Sequence, residues 1–233
     1  MTPQEQTGRE AFWSYLDVAF FASFMFLSFV MSILLAGLLH RQGPVIRLLL
    51  PQLLLYVFVV GSLYAIFHLR YSEPFWRTLG VRYPDKRAWG FAFLGPVLAI
   101  ALGLLGPLLR AREIQLPFDD FLRTPLTMTA LGVLVVLLGP FCEELVFRGF
   151  LMPLFVRSLT AVPGILLAAL MFGCMHGPEY RWSWQYILLV SLAGVAFGYA
   201  RQRGRSTTAA FLMHATFNLT QFAALVFHPH TRW

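Results

Sequence analysis

Two adjacent glutamates, Glu143 and Glu144, stand deep inside an apolar run, and Arg148 follows within the same run. Placing an ionisable group at that depth costs roughly 2.5–3.5 kcal/mol even on lenient insertion scales. Three such groups in so short a stretch demand partners and usually a purpose. On a helix, Glu144 and Arg148 share a face with the acid N-terminal, the favoured order for an ion pair, while Glu143 is turned about 100° away. One reading is a structural clamp between helices. The other is a division of labour, in which Arg148 keeps Glu144 ionised and placed while Glu143 faces a cavity and acts as a general base.

Two histidines stand apart from the rest. His176 closes a run that ends Phe172-Gly-Cys-Met, and His214 lies within the last run, with Asn218 one helical turn on and hence on the same face. His40, His68, His228 and His230 sit at run ends or in the tail and read as interfacial. A lone buried histidine is more often a satisfied core residue than a functional one. Two of them with an acid pair and an amide shift the reading towards function.

The elements that must carry these residues are membrane spans. Of the 233 residues, 58% are hydrophobic and 12% charged, and the mean hydropathy is +0.67. A soluble globule of this size could not hide so much apolar surface. An aromatic share of 16% excludes disorder, and two cysteines exclude a disulfide-stapled scaffold. The fold expected is therefore all-α, a polytopic transmembrane bundle. Apolar runs lie at Tyr15 to Leu39, Leu48 to Leu69, Ala88 to Leu109, Leu126 to Val156, Val162 to His176, Trp182 to Ala200 and Thr207 to Phe227. They predict seven spans, or eight if the fourth run breaks at Gly139-Pro140. Residues 1–233 read as one membrane-embedded domain, without internal repeats, with all of these candidate residues inside 126–219.

At about 1.5 Å per helical residue, Glu143, His176, His214 and Asn218 fall roughly 21, 22, 12 and 18 Å from one membrane face, provided the fourth helix is unbroken. Side chains from three spans thus share one slab of the membrane. The net charge of +7 fits loop Lys and Arg that orient helices and touch anionic headgroups rather than nucleic acid. Their distribution, from Arg9 on one side to Arg112 and Arg232 on the other, places the N-terminus in the cytoplasm. The first run lacks a basic flank, with Glu5 and Glu10 against Arg9, and reads as an anchor rather than a cleaved signal. The loop from Arg70 to Arg87 reads as an interfacial anchor of aromatic and basic residues.

At these residues the chain resembles the CPBP family of intramembrane proteases (CAAX protease and bacteriocin-processing, or Abi) and is similar to the Rce1-type prenyl endopeptidases. The family's EExxxR motif is matched by Glu143-Glu144-Leu-Val-Phe-Arg148, FxxxH by Phe172-Gly-Cys-Met-His176, and HxxxN by His214-Ala-Thr-Phe-Asn218. Gly194 and Gly198 look like the family's small-residue helix, which allows close packing. The resemblance implies an endopeptidase of a bacterial inner membrane. Its catalytic residues would be Glu143, Glu144, Arg148, His176, His214 and Asn218. Glu143 and His176 would activate water, Arg148 would orient Glu144, and His214 with Asn218 would stabilise the oxyanion.

The partners expected are a peptide or membrane-protein substrate and the lipid bilayer. No cofactor is expected to be required, because HExxH, in which two histidines share a helix, is absent. The alternative is zinc held by Glu143, His176 and His214. Cys142 and Cys174 lack the paired base of a nucleophile and read as packing residues. Two other readings compete. One is a non-catalytic scaffold or bacteriocin self-immunity protein. The other is a proton-coupled transporter, which the absence of a repeat disfavours.

Overall fold

The computed structural model describes residues 11–111, 114 and 119–227. Helices account for nearly all of them, and no strand is present among the described residues. The elements run α1 (Tyr15–Leu38), α2 (Pro44–Arg70), a short α3 (Phe75–Thr78), α4 (Lys86–Leu108), α5 (Pro125–Leu159), α6 (Ala161–Met175), α7 (Trp184–Arg203) and α8 (Thr207–Phe227). Arg9, Arg112 and Arg232, used above for orientation, lie outside the described residues, as do Glu5, Glu10, His228 and His230.

Five helices, α1, α2, α4, α5 and α8, are long and apolar enough to cross a membrane, and the chain is an integral membrane protein by that measure. The seven or eight spans expected are not confirmed. The fifth run forms α6, whose 15 residues reach only about 22 Å, short of a hydrocarbon core of about 30 Å. The sixth forms α7, where Gln185, Tyr186, Ser191, Tyr199 and Gln202 dilute the apolar content. The fourth run does not split. It is one 35-residue helix that absorbs its prolines through π-helical turns at Val133–Leu138 and Leu145–Leu151, just ahead of Pro140 and Pro153. A proline removes an N–H and crowds the carbonyl of the preceding turn, and a wider turn relieves both without ending the helix.

α5 is the centre of the bundle. In its most apolar window 44% of residues are buried, against 11% in α1, whose Phe20, Phe24, Phe26 and Leu34 face outward. Leu145, Phe150 and Leu154 on α5 meet Phe67, Phe172 and Phe197 from α2, α6 and α7 in one buried core. Thr160 alone joins α5 to α6, and Gly164 lets the two antiparallel helices touch, since a Cβ there would stand 2.6 Å from Val156 N. α6 and α7 meet through Gly173, Gly194 and Gly198; a Cβ on Gly194 would lie 3.1 Å from Ala169 Cα. The small residues of α7 thus permit the close packing expected of them.

The loop after α2 is more than an interfacial anchor. Tyr83 and Trp76 are exposed, but Phe75 and Leu79 are buried, and the loop backbone is bound to the start of α8. Thr207 N donates to Gly80 O at 2.9 Å, and Thr208 Oγ1 donates to Arg82 O at 2.7 Å. Asp17, the lone charge of the first run, is fully buried. It accepts from Ser14 N at 2.8 Å and Tyr71 Oη at 2.7 Å, and pairs with Arg70 at 3.2 Å, which ties α1 to the end of α2.

α4 lies against α8 at Gly95, where a Cβ would sit 2.0 Å from Thr216 Oγ1 and 2.5 Å from Met213 O. Gly95→Ala is therefore expected to cost about 1–3 kcal/mol. Gly61→Ala, on α2 with nothing within 4 Å, gains up to about 1 kcal/mol from helix propensity. Unfolding midpoints of the two variants in detergent measure the difference.

Candidate active site

Arg148 and Glu144 form a fully buried ion pair on α5, with Nη1 donating to Glu144 Oε1 at 2.9 Å. The other end of the guanidinium donates to Gly194 O on α7 at 2.7 Å. Its carbon lies 4.7 Å from the ring centre of Phe172 and 5.4 Å from that of Phe197. Cation–π contact with rings that exclude water adds to the pair. The side chain is met by a carboxylate, a carbonyl and aromatic faces, which is what a charge in this place requires.

His214 on α8 bridges the two glutamates. Nδ1 lies 2.9 Å from Glu144 Oε1, and Nε2 lies 3.8 Å from Glu143 Oε2. The ring is stacked on Phe197 at 4.3 Å and meets Phe172 edge-on at 5.7 Å. A carboxylate on Nδ1 fixes the proton there. The two acids differ in access. The Glu144 side chain is 0% exposed and that of Glu143 25%, so Glu143 is the carboxylate that can meet a water or a substrate.

His176 stands just past the C-terminus of α6. Its Nδ1 donates to Phe172 O at 2.9 Å, which leaves Nε2 with a free lone pair. Its ring packs against Phe172, 4.7 Å between centres, so Phe172 touches both histidines and Arg148. Asn218 Nδ2 donates to Val135 O at 2.7 Å, on the π turn of α5, and retains a second N–H. Glu143, Glu144, Arg148 and His214 therefore form one connected group. His176 joins it through Phe172, and Asn218 is held one turn beyond His214.

Three contributors escape a reading by motif alone. Phe172 is the first letter of the FxxxH pattern, one turn before His176 on the same face, and that spacing could have revealed it. Phe197 has no sequence signal. Glu179, three residues after His176, lies close enough to feel both His176 and Glu143. The residue is exposed, yet the protein packed around its carboxyl raises the pKa; attraction to His176 opposes this and repulsion by Glu143 adds to it. Cys142 is buried and Cys174 exposed, and both are free thiols, so only Cys142 fills a packing role.

A hydrogen-bonded Nδ1 is also how metal-ligating imidazoles are usually held. Among the described residues no three His, Cys, Asp or Glu side chains are grouped to hold a metal ion.

A long apolar helix bundle thus gathers carboxylates, imidazoles and an amide inside it. Residues 125–220 match the family described as type II CAAX prenyl endopeptidase Rce1-like, and this stretch contains all six candidate residues. This stretch is thus similar to a family of prenyl endopeptidases, which are proteases. No curated protein and no solved structure matches the chain.

The buried pair predicts strong coupling. Arg148→Leu strands Glu144 and is expected to cost about 3–5 kcal/mol. Adding Glu144→Met in the same chain should recover more than half of that. Unfolding of the two single variants and the double variant in detergent gives the coupling directly.

Proposed function

We propose that the protein is an intramembrane endopeptidase that hydrolyses a peptide bond of a membrane-associated peptide or protein with a water activated by Glu143 and His176. The observation that carries this reading is the bridge made by His214 between an inaccessible, ion-paired Glu144 and an accessible Glu143. Such an arrangement separates a structural carboxylate from a reactive one.

In this mechanism Glu143 takes a proton from water as the oxygen attacks the scissile carbonyl carbon. His176, with its proton fixed on Nδ1 by Phe172 O, offers Nε2 to the same water. The carbonyl oxygen gains the negative charge and is met by the second N–H of Asn218 and by His214. Protonated His214 donates from Nε2 while Glu144 holds Nδ1. Donors aimed at a developing oxyanion in a dry site are worth several kcal/mol. The C–N bond then breaks, and the proton held by Glu143 passes to the leaving amine, giving one carboxyl and one amine product per water consumed.

Glu143→Ala and His176→Ala are each expected to abolish cleavage while leaving the protein folded, because neither belongs to the Arg148 pair. Comparing cleaved membrane proteins in cells bearing wild type and Glu143→Ala is the test; full activity in either variant defeats the reading. We further propose that no metal is required. Activity should survive equilibration with a chelator, and a lasting loss restored only by zinc would reverse that proposal. The excess of Lys and Arg on one side supports a cytoplasmic N-terminus in a bacterial inner membrane.

A further inference from the structure

The two oxygens of Glu143 face different surroundings. Oε2 looks toward His214 Nε2. Oε1 borders the notch left by Gly139, one turn earlier on α5. A Cβ at Gly139 would lie 3.8 Å from Glu143 Oε1, 3.2 Å from Tyr56 Oη and 3.0 Å from Leu134 O. The missing side chain therefore lets the Tyr56 phenol come against the wall of α5 beside the carboxylate. Tyr56 belongs to α2, which packs on this part of α5 and lies outside the stretch 125–220 that matches the protease family.

The phenol is itself held. Gln52, one turn earlier on α2, hydrogen-bonds it, and Glu143 acts on it electrostatically. The ring is partly buried and packs against the core. A phenol has one proton to give and two lone pairs, so oriented by Gln52 it can still donate toward the Glu143 carboxylate that borders the notch. Tyr180 also feels Glu143, but its ring is stacked on Tyr186.

We propose that Tyr56 is a positioning residue for Glu143, its phenol donating directly or through one water to Oε1, so that Oε2 is the oxygen left to take the proton from the hydrolytic water. Gly139 is then the residue that admits the phenol. This rests on the reading of Glu143 as the base, but its test does not depend on turnover. The infrared carboxyl band of Glu143 is isolated in the liposome-embedded protein by subtracting the spectrum of Glu143→Gln. Tyr56→Phe keeps the ring and removes only the hydroxyl, and it should shift that band. Gly139→Ala, which pushes the phenol away, should shift it the same way. With a farnesylated peptide ending in a CAAX sequence as probe, Tyr56→Phe should lower kcat about ten-fold with KM nearly unchanged. A band unmoved in both variants overturns the proposal. Cleavage that persists in Glu143→Gln would instead sink the peptidase reading, whatever the band does.

Discussion

A charge sealed in an apolar interior must be answered on every side, and the Arg148 guanidinium imposes that demand on this fold. Its answer comes from three helices: Glu144 on its own α5, the Gly194 carbonyl on α7, and the rings of Phe172 on α6 and Phe197 on α7. The carbonyl is within reach only because α6 and α7 are nearly in backbone contact, and they are so close only because Gly194 and Gly173 lack side chains. The small residues of α7 and the ion pair of α5 are therefore one device. A larger residue at Gly194 would push away the acceptor that Arg148 needs.

The same pair organises the chemistry. Glu144 Oε1 accepts from both Arg148 and His214, so the imidazole of α8 is held by a carboxylate that cannot itself reach solvent. Glu143, one residue earlier, inherits the opposite environment. It is turned off the ion-paired face, partly open, and looks at the far nitrogen of the same ring. Neighbouring acids on one helix thus receive different tasks from helical geometry alone. Phe172 completes the arrangement by packing on both imidazoles and on the guanidinium.

Holding these groups in register requires a central helix that does not break. α5 carries Pro140 and Pro153 in its interior and still runs as one element, because π turns take up the strain on either side of the glutamates. The first of these turns also offers Val135 O to Asn218. It lies against Gly139, where α2 brings up Tyr56. Irregular backbone inside a membrane bundle is tolerated where other protein groups satisfy or cover it, and here it lies beside the polar groups of the site. The Rce1-like stretch supplies the acids and imidazoles, while α2 and α4 supply walls against which they pack.

The sequence by itself determined the class of fold and the candidate side chains of the site. Hydropathy runs and the cost of burying charge are local properties, and EExxxR, FxxxH and HxxxN each lie within a turn or two of one helix. The Glu144–Arg148 pair was legible because both partners share a helix face. Tertiary structure alone decided the rest. His214 reaches Glu144 across 70 residues of chain, and Phe197 stacks on His214 although no spacing links them. The continuity of α5 through Pro140 depends on neighbouring helices, which a hydropathy profile does not represent. The seven or eight spans are not confirmed for a related reason: an apolar run reports burial as readily as lipid exposure. Ala168, Ala169, Phe172 and Gly173 of α6 are apolar because they pack against protein.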